Sequence, residues 1–240
     1  MKTTSSKTST NWIKIQLRSF WRNWGRPVVL CLAVILPVKS AVAEGNWVTS
    51  GSMQPTILVG DYVFVNKLAY DLKVPFTTIH LAQWANPQHG DIVVCFSPAD
   101  GIRLVKRVVG LPGDKVEMRD DRLFLNGQPV SYSPLSKEVS ADLDEKEKSA
   151  AVFAQEALSD RNHAVMVLPQ RPALRTFGPI EIPTDSYFVM GDNRDNSGDS
   201  RYFGFVPRDQ IVGEAKIIVA SFDFDHWGKP RLDRLFKKLD

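Results

Sequence analysis

The sequence predicts a mostly β protein, in which an N-terminal transmembrane helix leads into a mainly antiparallel β domain carrying a short, partly helical insertion. Three observations support this. Short runs rich in Val, Ile, Tyr and Phe recur between Gly, Pro, Asn and Asp, the composition of strands and their turns. Residues 27–38 form one uncharged, almost wholly apolar stretch. Residues 136–158 change to Glu, Lys, Asp and Ala, which favour helix and solvent.

At 240 residues the chain is long enough to bury a core. Its net charge of +3 is unevenly spread. Residues 1–40 carry Lys2, Lys7, Lys14, Arg18, Arg22, Arg26 and Lys39 and no acid, leaving 23 basic against 27 acidic residues in the rest. A mildly acidic body argues against a nucleic-acid partner. The basic excess, mixed with Trp12, Trp21 and Trp24, suits the approach to a lipid bilayer. Residues 1–26 are thus expected in the cytoplasm and residues 27–43 as the anchor. Everything from Glu44 on would lie on the far side by the positive-inside rule. Counting from Pro27 to Ala43 just reaches the lower limit for a span, about 17 residues, provided that Lys39 snorkels. Basic residues, an apolar core and Ala41-Val42-Ala43 also describe a cleavable secretory signal.

Beyond the anchor, residues 62–65, 91–96, 115–118 and 122–125 read as strands, and Asn126-Gly127 as a hairpin turn into 130–132. The charged segment makes 133–162 a helical, solvated insertion. Strand character returns at 163–168, 187–190 and 215–224, so the β domain is expected over 44–132 and 163–224. In the tail, 225–240, Leu232, Leu235, Phe236 and Leu239 fall at helical spacing with Arg234, Lys237 and Lys238 between them. Such a tail could lie on an anionic membrane surface or pack on its own domain.

Two cysteines, Cys31 and Cys95, predict no disulfide framework. Neither has a second cysteine or histidine at ligand spacing. The acidic loop near residue 195 fits no EF-hand, so no metal and no cofactor is expected.

Candidate chemistry begins at Ser52, in SGSMQPT at 50–56. A serine hydroxyl needs a base. The histidines, His80, His89, His163 and His226, sit in no triad context, and no GxSxG elbow is present. Lys106 interrupts the β-branched run 103–110. Burial there would drive its ammonium towards the neutral amine, a competent base, and Ser52 with Lys106 would form a Ser-Lys dyad. Alone, each has a plain alternative: a turn or cap serine, and an edge or ion-paired lysine.

Three blocks decide between these readings: SGSMQPT at 50–56 with Gly60 and Asp61 after it, KRVVGLPGD at 106–114, and GDNRDNSGDSR at 191–201. In order and spacing they resemble the type I signal peptidases, membrane serine proteases that remove signal peptides from exported proteins. The resemblance covers about 38–132 and 183–223. It implies Ser52 as nucleophile and Lys106 as base, with the Ser52 amide and the Ser50 hydroxyl as the oxyanion hole. It further implies that Ser197 hydrogen-bonds the lysine amine, and that Asp199 with Arg201, and likewise Asp192 and Arg194, are structural. Val48, Met53, Ile57, Leu104 and Val105 resemble lining of a shallow pocket for small side chains, or are plain core. The implied partners are exported preproteins and the lipid bilayer, and the implied place is the outer face of the cytoplasmic membrane. A maturation peptidase dedicated to one conjugation or pilus substrate is the alternative within the family. A catalytically silent scaffold that binds export signals is the alternative outside enzymes.

Overall fold

A computed structural model describes residues 20–74, 77, 79–135, 143, 145–224 and 227–239. A π-helical turn, Trp21–Gly25, runs into helix α1 (Arg26–Val42). The stretch expected as a span is therefore helical. However, at about 1.5 Å per residue its 17 residues fall short of the roughly 30 Å hydrocarbon core. Among the described residues no helix is long and apolar enough to cross a membrane.

The chain then enters β1 (Ala43–Trp47), a 3-10 turn (Gly51–Met53) and β2 (Asp61–Asn66). A small hairpin, β3 (Asp71–Lys73) and β4 (His80–Gln83), precedes the central pair β5 (Ile92–Phe96) and β6 (Arg103–Gly110). Next come β7 (Lys115–Arg119), β8 (Arg122–Leu125) and β9 (Gln128–Pro129). Asn126 and Gly127 turn β8 into β9 at φ 53° and 79°, the left-handed pair that Asn-Gly supplies at low strain. After β10 (Ser131–Pro134), helix α2 (Glu145–Ala150) leads to β11 (Val152–Leu158) and β12 (Arg161–Val167). The chain closes with β13 (Phe177–Glu181), β14 (Ser186–Met190), α3 (Ser200–Phe203), β15 (Val206–Pro207), β16 (Ile211–Asp223), β17 (Lys229–Pro230) and β18 (Lys237–Lys238).

The main sheet runs β1-β2-β16-β5-β6-β14-β15, with β17 and β18 also on β16, and its ladders are antiparallel. Strands buried on both sides read as apolar runs, and Ile92, Val93, Val94 and Cys95 are all buried. One core cluster joins Val48, Met53 and Ile57 to Val63, Ile92, Ala215 and Ile218, directly behind the turn that carries Ser52.

Two expectations change. Among the described residues of the insertion, helix occupies only Glu145–Ala150, while residues 152–158 form a strand between β10 and β12. Propensity favoured helix there, but Glu156 and Leu158 are fully buried, and tertiary packing overrides a weak local preference. Residues 136–142 and 144 lie outside the described residues. In the tail, the amphipathic helical spacing is not realised. The chain makes a 3-10 turn at Leu232–Arg234, then pairs Lys237 and Lys238 with Ile218 and Ile217 and buries Leu239 in the cluster behind Ser52. The tail is docked on its own domain.

Candidate active site

Ser52 sits in the 3-10 turn between β1 and β2, and Lys106 in the middle of β6. The fold brings them together across 54 positions of sequence, with Lys106 Nζ 2.8 Å from Ser52 Oγ and 3.1 Å from the Val105 carbonyl. Lys106 is only 2 % exposed. Burial pushes its amine well below the usual lysine range, and the pull of the Asp199 and Asp192 carboxylates restores only part of it. Cys95 itself is buried and pushed up to about 12, so its thiol stays neutral.

The third block forms a strip beside this pair. The Asn193 backbone N–H donates to the Ser52 carbonyl at 3.1 Å, and its side-chain amide donates to the Gly51 carbonyl at 3.0 Å. Gly191 is required by close approach, since a Cβ there would lie 2.3 Å from both the Ser52 carbonyl oxygen and Ser197 Oγ. Asp199 takes both guanidinium arms of Arg201, at 2.8 and 2.9 Å, and the Gly191 amide at 3.0 Å. Asp192 and Arg194 are each half of a buried ion pair, with partners the sequence did not reveal. Arg107 grips Asp192 through Nε and Nη2, both at 2.9 Å, and the Thr56 hydroxyl donates to the same carboxylate at 2.5 Å. Burial raises the Asp192 carboxyl, but Arg107 outweighs it and the net shift is downward. Arg194 pairs with Glu156 of β11 at 2.6 Å.

Other expected residues fall as follows. Ser197 lies beside the pair, yet its buried hydroxyl makes no hydrogen bond, to Lys106 or otherwise. Ser50 precedes the 3-10 turn, exposed, with its hydroxyl making no cap. Met53 and Ile57 are at most 1 % exposed and pack in the core cluster behind the turn. Val48 and Val105 pack in the same cluster, whereas Leu104 packs on another, with Val93, Cys95 and Val108. Sequence reasoning missed Thr56, Arg107, Glu156 and Asn193. Thr56, Arg107 and Asn193 stood inside the recognised blocks, but nothing in the sequence marked Glu156. Among the described residues no group of His, Cys, Asp and Glu is placed to hold a metal ion.

The model of the family "Signal peptidase, peptidase S26" matches residues 21–220. The chain belongs to this signal peptidase family. It is 35% identical over 224 residues to signal peptidase I of Pseudomonas fluorescens, an overlap of 88% of this chain and 75% of that one. To signal peptidase I T of Bacillus subtilis it is 31% identical over 223 residues, 92% of each chain. It is accordingly an enzyme, a signal peptidase that cleaves signal peptides from preproteins. The matched span contains all three blocks, so the strip, the strand and the serine turn belong to the signal peptidase unit rather than to an appendage.

Proposed function

We propose that this signal peptidase is a membrane-anchored serine endopeptidase that works through a Ser52–Lys106 dyad. The observation that carries the reading is the 2.8 Å approach of Nζ to Oγ at a buried amine. With the amine neutral, the hydroxyl donates to it. Ser52 Oγ then bonds the scissile carbonyl carbon while its proton passes to Nζ. The oxyanion so formed is met by the Ser52 amide, which lies in the first turn of a 3-10 helix where N–H groups lack intrahelical partners, and by the Ser50 hydroxyl. The C–N bond breaks as Nζ returns the proton to the leaving amine. Water then bonds the acyl carbon as the same amine takes its proton, and that proton passes to Ser52 Oγ as the ester C–O bond breaks, restoring both residues. In this reading a turn of Ser197 Oγ towards Nζ would orient the amine.

The substrate's extended chain would add a strand beside β6. The pairing of β14 with β6 ends at Arg107, so, among the described residues, 103–106 have β5 on one side and no strand on the other. Backbone pairing tolerates varied sequences. In this reading Met53 and Ile57 would lie under a shallow site for small side chains, hence cleavage after small-x-small. Helix α1 and the π turn before it would hold the chain in the bilayer as a single, short span with the N-terminus inside. Val28, Val29, Leu30, Ile35 and Leu36 are each about half exposed or more, which suits lipid contact. Trp47, Phe224 and Trp227 are exposed on the catalytic domain, where an aromatic belt would meet the interface.

The test is to incubate the detergent-solubilised chain with one preprotein, beside Ser52→Ala, and to separate membrane from soluble fractions. Cleavage by the wild type alone, with the protein in the membrane fraction, is expected. Cleavage by Ser52→Ala would remove the dyad, and recovery in the soluble fraction would remove the anchor.

A further inference from the structure

The segment expected as a solvated insertion, 133–162, contributes β11 to the sheet β10–β11–β12, and this sheet sends two titratable side chains under the catalytic strip. Glu156, wholly buried, receives Arg194 Nη2 at 2.6 Å and the Tyr132 hydroxyl at 2.5 Å. His163, its cross-strand neighbour on β12, is also buried, with Nε2 3.3 Å from Glu156 Oε1 and 4.0 Å from Asp192 Oδ1. Burial first, and then Arg107, hold its imidazole below the ordinary range. The two ion pairs, Glu156–Arg194 and Asp192–Arg107, thus flank one neutral ring. Backbone ties run alongside: the Met166 N–H donates to the Asp192 carbonyl at 2.9 Å, and the Leu168 N–H to the Asp195 carboxylate at 2.8 Å. On its far side the same strip holds the Ser52 and Gly51 carbonyls through Asn193. Arg194, the next residue, fixes the strip at two further points. Its Nε donates to the Gly191 carbonyl at 3.2 Å, and its own carbonyl accepts from Arg201.

We propose that Glu156 is a positioning residue for peptide cleavage: through Arg194 it sets the strip that holds Ser52 against Lys106, so that the accessory sheet is part of the catalytic apparatus. The proposal rests on the dyad reading above. A guanidinium buried to 2 % exposure cannot shed its proton, so its place is set by the carboxylate that compensates it. A misplacement of about 1 Å transmitted to reacting atoms can cost about 10² in rate.

The full chain in detergent is assayed on a preprotein as wild type, Ser52→Ala, Glu156→Gln and the double variant Glu156→Gln/Arg194→Gln, with kcat, KM and Tm measured for each. Glu156→Gln is expected to lose about tenfold or more in kcat with KM held within about twofold, and to lower Tm by leaving Arg194 unpaired. The double variant removes both charges and should recover Tm without recovering kcat. Retention of kcat in the single variant, or recovery of kcat together with Tm in the double, would overturn the proposal and leave the sheet a support for stability alone. If the single variant does not fold, the double is judged by the same limits on kcat. If neither folds, Glu156→Asp, which keeps the charge and withdraws it by one methylene, is judged likewise. An active Ser52→Ala would overturn the dyad. An inactive one beside a normal Glu156→Gln would overturn only the role given to Glu156.

Discussion

Lys106 and Arg107 are neighbours on β6, and their side chains leave the strand on opposite faces. Both are cations by default, and both are almost fully buried, at 2 % and 1 % exposure. The Arg107 side solves burial by pairing: Asp192 meets two of its nitrogens, and the Gly90 carbonyl meets a third at 2.7 Å. The Lys106 side does the opposite. Among the described residues no carboxylate lies within ion-pair distance of Nζ, which touches only Ser52 Oγ and a carbonyl. A guanidinium cannot become neutral, so it must be compensated, whereas an ammonium can lose its proton. One strand therefore buries two cations in two ways, and only the uncompensated one can move protons.

The contrast is broken most severely at Lys106. Lys106→Ala should lower kcat by at least about 10⁴ while Tm stays level or rises, because a costly buried amine is removed; single-turnover cleavage and a melt measure both. Residual turnover near the wild-type rate would end the comparison. Arg107→Ala should act first on stability. It leaves Asp192 buried without its counter-charge, which costs about 3–5 kcal/mol, read from urea unfolding. A loss below about 1 kcal/mol would place Arg107 among ordinary surface pairs. A smaller effect sharpens the Lys106 side: because a hydroxyl aimed at the developing oxyanion lowers the barrier, Ser50→Ala should slow kcat by about 10² to 10³ with KM little changed. Unchanged kcat would take Ser50 out of the oxyanion hole.

The same contrast explains what could be read in the chain. Burial of Lys106 was legible because Val105, Val108 and Val109 surround it in a β-branched run, and the turn at Asn126-Gly127 because only left-handed backbone demands that pair. The pairing of Arg107 was not legible, since Asp192 lies 85 positions away and nothing local links them. Strand β11 was misread for a related reason. Ala154, Gln155, Glu156 and Ala157 are helix formers, and the buried Arg194 that makes Glu156 tolerable inside a sheet is visible only in three dimensions. In the tail, Leu239 counted towards a helical stripe, whereas its contacts with the core behind Ser52 come from pairing of β18 with β16.

The subtlest prediction separates the two cations by their pH dependence. Burial lowers the Lys106 pKa in the folded state below its unfolded value, which is about 10.4. Between those two values the unfolded chain binds a proton that the native protein does not. Stability must then rise with pH across that window, reaching its full value above the unfolded pKa and falling as pH drops towards the folded one. Lys106→Met removes this dependence. The wild type should be the less stable protein near neutrality, and the two should converge as pH approaches about 10.4. The acid limb of kcat should fall with the same single ionisation, because protonating the amine disarms the base. Arg107→Met, compared with the wild type from about pH 7 to 10, should be less stable by a constant amount, since a guanidinium keeps its proton in both states. Urea unfolding at several pH values measures all of this. A slope at Arg107, or none at Lys106, would mean that the two residues are buried in the same way and that β6 holds no uncharged base.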